Sequence, residues 1–399
     1  MFDHLKRLAP EALLGLMSQY RADTSIHKVD LGIGVYRDSA GHTPVLDCVR
    51  RAEQGVLAQQ TTKTYISAVG REEFNHRAEL LVLGPEQGTT STQRVRSIQT
   101  PGGCGALRLG AELIKAATPA AKVFVGNPTW GNHVPLLGGS GLTLEHYAYY
   151  DPATHELLFD QMLDRLEHAT PGDVVLLHAC CHNPSGVDPT PTQWRALADC
   201  LLRRRLVPFL DLAYQGLGDD LVSDVASVRL IFQELPEALL AVSFSKNLGL
   251  YRERVGALIV LSQTSAHADA VQSHTMQIAR SIYSMPPDHG AAIAASILGD
   301  AELTYGWTRE LIQMRERIAS MRALLTAHLR EATGTDSFDF IRSQRGMFSL
   351  LGVTSDAVGR LREKHHIYMT PDGRINLAGL NPDNVAYVAD AIASDLQAR

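Results

Sequence analysis

Five cysteines are scattered through 399 residues, at Cys48, Cys104, Cys180, Cys181 and Cys200, with no C-x-x-C pair and no zinc-like spacing. This excludes a disulfide framework and a zinc-type ligand set, and an odd count suits a reducing compartment. An excess of positive charge is lacking too: 37 Lys and Arg against 43 Asp and Glu leave a net charge of −6. A binder of nucleic-acid phosphates or a polybasic membrane anchor carries the opposite balance. Arg203-Arg204-Arg205 is the one tight basic cluster and reads as a solvated helix end. No apolar run approaches the length of a bilayer span, and the start, Met1 to Lys6, lacks the charged-then-apolar form of a signal peptide. Internal repeats, low-complexity tracts and long flexible linkers are absent as well. With 45% hydrophobic and 20% charged residues the chain reads as a cytoplasmic globular protein, too long for one core and so of two domains.

What is present is a repeated plan of short apolar run followed by polar residues. Val95 to Gln99 leads into Thr100-Pro101-Gly102-Gly103-Cys104-Gly105, and a helical pattern runs from Leu107 through Ala117. A glycine-rich turn opening a helix makes an anion site, because free N–H groups and the helix dipole face the same way. Val123 to Asn127 ends before Pro128-Thr129-Trp130, whose indole can stack on a planar ring or simply pack in the core. Asp173 to His178 precedes Cys181-His182-Asn183-Pro184, and Leu206 to Leu212 carries Asp211, with Tyr214 just beyond. A carboxylate buried at such a place needs a cation, either a protonated pyridine nitrogen or a structural arginine. The alternation of strands and helices from about 95 to 262 predicts a parallel-sheet α/β domain.

The run Leu239 to Val242 meets Ser243, Ser245 and Lys246, with Arg254 following. A lysine at a strand mouth is desolvated there, which frees its amine for a Schiff base; alternatively it is an ordinary surface charge. Two hydroxyls and an arginine beside it suit a phosphate. Amine and phosphate site in one segment are what pyridoxal 5′-phosphate needs. Elsewhere, residues 1–10 read as an arm ending in Pro10, Glu11 to Tyr20 as an amphipathic helix, and Val29 to Tyr36 as a strand whose Gly32 and Gly34 allow close backbone approach. One helical stretch runs to Arg280 and a second from Gly290 to about Ala332, and the C-terminal part mixes short strands and helices as a separate α+β domain.

Three motifs in this order carry a family: HxCCHNPxG from His178 to Gly186, DxAYQG from Asp211 to Gly216, and SxSKNxGLYxERVG from Ser243 to Gly256. With them the chain resembles, over essentially its whole length, the fold-type I pyridoxal-phosphate aminotransferases of the aspartate/aromatic subgroup. The resemblance implies a large cofactor domain at 41–314 with a mostly parallel seven-stranded sheet. It implies a smaller α+β domain at 315–399, joined by an N-terminal arm and segment at 1–40. It implies that Lys246 bonds the cofactor and shuttles the substrate proton, that Asp211 keeps the pyridine nitrogen protonated, and that Asn183 and Tyr214 tune the phenolic oxygen. Trp130 would stack on the ring, and Gly102, Gly103, Cys104, Ser243, Ser245 and Arg254 would hold the phosphate. Tyr65 would reach that phosphate from the neighbouring subunit of a homodimer with shared sites. Arg374 would clamp the substrate α-carboxylate and Arg280, across the subunit boundary, a distal carboxylate. Gly34 and Phe348 would line the pocket.

Three departures from the family pattern matter. Cys104 stands where Thr or Ser is usual and is a poorer donor. Met285, before Pro286-Pro287, is flexible and apolar and leans towards bulky side chains. Ile66 to Val69 replace a glycine-containing turn. The expected reaction is ping-pong transfer of the amino group of aromatic amino acids, aspartate or both to 2-oxoglutarate. The alternatives are a dedicated aspartate enzyme and, more remotely, another pyridoxal-phosphate reaction. A transcription regulator on this fold needs a DNA-binding domain ahead of residue 30, for which there is no room.

Overall fold

A computed structural model describes residues 1–8, 12–85 and 93–397. The expected end of the arm at Pro10 and helix start at Glu11 fall outside them; a helix is present at Ala12–Ala22. The chain divides into two compact units, Pro44–Glu316 and a second made of Met1–Thr43 with Arg317–Arg399.

The larger unit is built on a seven-stranded sheet. Its strands are β1 Val95–Pro101, β2 Lys122–Asn127, β3 Thr143–Ala148, β4 Val174–His178, β5 Val207–Leu212, β6 Ala238–Ser243 and β7 Val255–Leu261. They lie in the order β1-β7-β6-β5-β4-β2-β3. Wherever a helix intervenes, as between β4 and β5, the next strand is parallel. Residues 244–254, which return the chain from β6 to β7, hold no helix, and β7 is accordingly antiparallel to both its neighbours. Strands buried on both faces need apolar side chains in both directions, and Val174-Val175-Leu176-Leu177 and Ala238-Leu239-Leu240-Ala241-Val242 supply them.

Helix α1, Gly102–Ala117, packs on this sheet through Leu107, Leu109, Ala111 and Ile114 against Val125, Leu176, Phe209 and Leu258. Gly110 lets it approach: an added Cβ would lie 2.4 Å from the Phe209 ring. The helix begins at Gly102, five residues before the expected Leu107, because the strand stops at Pro101 and the glycines themselves form the first turn. Helix α2, Ser265–Ile282, follows β7. The stretch expected as one helix from Gly290 to Ala332 is two, α3 Asp288–Gly299 and α4 Ala301–Thr333. Asp300 separates them in extended backbone, and its carboxylate accepts from the Leu303 N–H at 2.9 Å, capping α4.

In the smaller unit Val29–Asp30 pairs in parallel with Ile367–Tyr368, and Phe348–Leu350 pairs antiparallel with Arg374–Asn376. The strand expected from Val29 to Tyr36 ends at Asp30. There the Asp30 carboxylate accepts from the N–H groups of Gly32 and Ile33, while Asn376 Nδ2 donates to the carbonyls of Ile33 (2.6 Å) and Val35 (2.8 Å). Side chains thus replace the ladder that a continuing strand would need. Among the described residues no helix is long and apolar enough to cross a membrane.

Candidate active site

In an open α/β sheet the ligand edge is the carboxyl end of the parallel strands. Pro101, His178, Asp211 and Ser243 end or nearly end their strands, and β7, running the other way, starts at the same edge just after Arg254. Direction alone therefore gathers the α1 start, Asp211, Ser243, Lys246 and Arg254. No side chain caps the first turn of α1. Gly102 has φ +70°, and a Cβ there would lie 2.5 Å from the Arg254 guanidinium; one on Gly103 would meet Ser243 at 3.1 Å. Arg254 donates to Ser245 Oγ (3.3 Å) and to the Tyr251 carbonyl (2.9 Å). Uncapped N–H groups, two hydroxyls and a guanidinium make an anion cradle from which side chains are excluded at two glycines. Cys104 lies at its rim, half-buried, with Asn132 Nδ2 at 4.0 Å from its sulfur; the other four cysteines are buried.

Asp211 is buried, and the side chain bonded to it is a histidine, not the structural arginine weighed as an alternative. His133, fully buried at the start of the short helix His133–Gly138, places Nε2 2.9 Å from Asp211 Oδ2. Burial works to raise the Asp211 carboxyl, but the His133 hydrogen bond, with the His133, His178 and Lys246 side chains close by, outweighs it, and the net direction is down. An ionised carboxylate only accepts, so Nε2 of His133 carries the hydrogen. Its Nδ1 lies 2.8 Å from Thr129 Oγ1, and that oxygen lies 3.2 Å from His178 Nε2. Burial, with His133 nearby, lowers His178 to about 3, so it is a neutral member of the relay. Trp130 stands edge-on to His133 with ring centres 5.2 Å apart. The signal that was missed is the spacing Trp130-x-x-His133 within one strand-end turn.

Lys246 is half-buried, with Nζ 5.2 Å from the centre of the Tyr214 ring. Its pKa is lowered, by burial first and by Arg254, against the opposing pull of Asp211 and Cys104. Tyr214 and Asn183 are both buried beside their strand ends. In the smaller unit Arg374 is buried, donates Nη2 to the Gly32 carbonyl at 2.8 Å and lies over the Phe348 ring at 4.5 Å. A Cβ on Gly34 would come within 3.0 Å of Phe348 Cζ, so these three expected residues form one cluster. Tyr65 is 90% exposed, and Arg280, in the last turn of α2, is exposed and donates to Ser284 Oγ. Among the described residues neither bonds Lys246, Asp211 or Arg254.

Residues 26–392 match the family described as aminotransferase class I and II. The chain belongs to that family. It is an aminotransferase, and its cofactor is pyridoxal 5′-phosphate. The aromatic-amino-acid aminotransferase of Pseudomonas aeruginosa is 44% identical over 392 residues, covering 98% of both chains. The aspartate aminotransferase of Escherichia coli is 42% identical over 396 residues, covering 99% of this chain and all of that one. A crystal structure of the aromatic-amino-acid aminotransferase of Burkholderia pseudomallei, covalently bound to pyridoxal phosphate, superposes with a TM-score of 0.96 at 41% identity, covering 99% of each chain. The residues of this aminotransferase fit the cofactor on geometric grounds: an anion cradle, an amine biased towards neutrality and a carboxylate held ionised share one sheet edge.

Proposed function

We propose that this aminotransferase takes the amino group from aspartate and from aromatic amino acids and delivers it to 2-oxoglutarate, in a homodimer whose sites are shared. The observation that carries the reading is the pairing of Lys246 with a His133-bound Asp211 on one edge. Relatives named for aspartate and for aromatic amino acids, at 42% and 44% identity, support the substrate range.

When bound, pyridoxal 5′-phosphate supplies a protonated pyridine ring that withdraws electrons from the substrate Cα–H bond. Asp211 keeps the ring nitrogen protonated, and the His133–Thr129–His178 relay keeps Asp211 ionised. Asn183 and Tyr214 hydrogen-bond the phenolic oxygen, and Trp130 covers the ring face. The α1 start with Gly102, Gly103 and Cys104 holds the phosphate, together with Ser243, Ser245 and Arg254. Lys246 would hold the cofactor through its amine and, once freed by substrate, would carry the proton on Nζ between the substrate Cα and the cofactor's C4′. Arg374 clamps the α-carboxylate, a planar bidentate task that lysine does not perform, while Gly34 and Phe348 wall its side of the pocket. Tyr65 and Arg280, exposed in the single chain, serve the partner's site. Tyr65 reaches the phosphate, and Arg280 meets a distal carboxylate or turns away for an aromatic ring. The negative net charge and reducing-type cysteines suit a cytoplasmic enzyme.

The test is the visible spectrum of the holoenzyme titrated separately with L-aspartate and L-phenylalanine. Both should bleach the cofactor–lysine band, and Lys246→Ala should abolish it. A response to aspartate alone makes the enzyme a dedicated aspartate aminotransferase, and no band in cofactor-supplemented protein sinks the reading.

A further inference from the structure

Tyr65 and Arg280 come from separate parts of the larger unit, yet three ties join the segments that carry them. The first is Gln99 of β1, fully buried. Its backbone N–H donates to the Val69 carbonyl at 2.9 Å, its Oε1 accepts from the Arg71 N–H at 2.9 Å, and its Nε2 donates to the Pro287 carbonyl at 2.6 Å. The loop comes close enough that Gly70, at φ +86°, has no space for a Cβ, which would lie 2.3 Å from that of Gln99. The second tie is the fork of Arg71 on Asp288, at 3.0 and 2.9 Å. The third is the Ile66 N–H, which points at Met285 Sδ at 3.3 Å. Two family departures, at 66 and at 285, therefore touch each other. A cavity of about 630 Å³ borders this seam, lined in part by Thr64, Ile66, Arg71, Met285 and Asp288.

We propose that Gln99 is a positioning residue that locks the Tyr65 segment to the Arg280 turn, with Met285 as a secondary tie, so that both groups enter the partner's site as one piece. This rests on the shared-site roles given above. A buried amide is suited to the task because it is neutral and offers both a donor atom and an acceptor atom, each used on a different segment. Glutamate in its place would lose the donor to Pro287, and an apolar side chain would leave a carbonyl and an N–H unmade. The consequence is that hold on the cofactor phosphate, through Tyr65, and selection for a distal carboxylate, through Arg280, are coupled. An aromatic substrate, which makes no use of Arg280 as an ion partner, is spared.

The experiment compares Gln99→Met with wild-type holoenzyme in KM and kcat for aspartate and phenylalanine, in the cofactor dissociation rate, and in thermal stability. Loss of one to two hydrogen bonds at the seam should raise KM for aspartate about tenfold and speed cofactor release about fivefold, with phenylalanine kcat within about twofold. Met285→Leu, which keeps volume and removes the sulfur acceptor, should move both readouts the same way by a smaller factor. It also carries the test should Gln99→Met fail to fold. Equal losses on both substrates, or folded variants with the wild-type aspartate-to-phenylalanine ratio and cofactor release, overturn the proposal. Tyr65→Phe and Arg280→Leu in the wild-type background separate the two levels. If they leave cofactor release and aspartate KM untouched, the shared-site roles fail and the positioning role falls with them. If they act as expected while the seam variants do not, only the positioning role fails.

Discussion

Asp211 shows how much a single buried bond decides. Burial alone would favour its neutral form, and a protonated Asp211 could not hold a ring nitrogen protonated. His133→Leu removes that hydrogen bond and leaves the Asp211 carboxylate buried without it. A hydrogen bond to a charged group is worth about 1.5–3 kcal/mol, so the rate of the first half-reaction should fall roughly 10- to 100-fold at neutral pH. The acid limb of the pH–rate profile should also move to higher pH, since the carboxyl pKa rises once its acceptor role is unsupported. An unmoved limb in stopped-flow half-reactions would show that His133 only packs. Cys104 gives a prediction of the opposite kind. A hydroxyl is a better donor to a phosphate oxygen than a thiol, so Cys104→Thr should slow cofactor dissociation about fivefold, roughly 1 kcal/mol, read by absorbance after dilution. Residues in dense motifs, Lys246, Asp211, Asn183 and Arg254, were legible because strand end, charge and hydroxyls coincide within a few positions. His133 was not, because its partner lies 78 residues away in sequence, and the local spacing to Trp130 marks the turn without marking that partner.

At the scale of elements, apolar runs located the sheet strands because strands buried on both faces have no other composition available. Failures came where side chains from afar replace backbone pairing. Val29 to Tyr36 has the look of a strand, but its carbonyls at Ile33 and Val35 are taken by Asn376, whose Oδ1 also accepts from the Ala378 N–H at 3.0 Å. Nothing within residues 29–36 foretells that. Asn376→Leu should therefore destabilise the fold by about 2–4 kcal/mol, as buried carbonyls lose their donors, with a lowered midpoint and unchanged slope in urea unfolding. It should also raise KM for every amino acid alike, because Gly34, next to both carbonyls, faces Phe348. A variant as stable as wild type would mean water replaces the amide without cost. The break between α3 and α4 was hidden for a similar reason: the apolar period continues through it, and only the Asp300 cap interrupts.

At the scale of the molecule, one carboxylate adds to the strand pairing that joins the first and last parts of the chain in the smaller unit. Asp23 accepts from His366 Nδ1 and from the Tyr368 hydroxyl, both at 2.7 Å. The Ser25 backbone N–H, then Tyr368, then His366 hold its pKa down at about 2. The folded value is below the unfolded one near 3.9, so the contribution is complete above the unfolded value and is lost as pH falls through the folded one. Asp23→Asn should accordingly flatten stability against pH between about 4 and 2, measured by urea unfolding at each pH. A wild-type slope would show that the carboxylate titrates as if exposed.

The shared-site reading makes the sharpest demand on the whole assembly. A Lys246→Ala chain has no amine of its own but still lends Arg280 to its partner, whereas an Arg280→Leu chain keeps its amine and lends a leucine. Each homodimer should be poor with aspartate, the first for lack of Lys246 and the second for lack of a distal cation. In a hybrid, one site receives both wild-type groups and the other receives neither. With two-fold symmetry and random pairing, half the dimers are hybrids with one good site in two, so mixed and refolded chains should recover about a quarter of wild-type aspartate activity. Phenylalanine activity, which the Arg280→Leu chain retains, should show no such gain beyond the mean of the parents. The contrast between the two substrates separates complementation from simple stabilisation by mixing. Aspartate activity that stays at the parental mean, in a preparation shown by sedimentation to contain hybrids, would mean that each site is completed within its own chain. Tyr65 and Arg280 would then owe their exposure to something other than a partner's need.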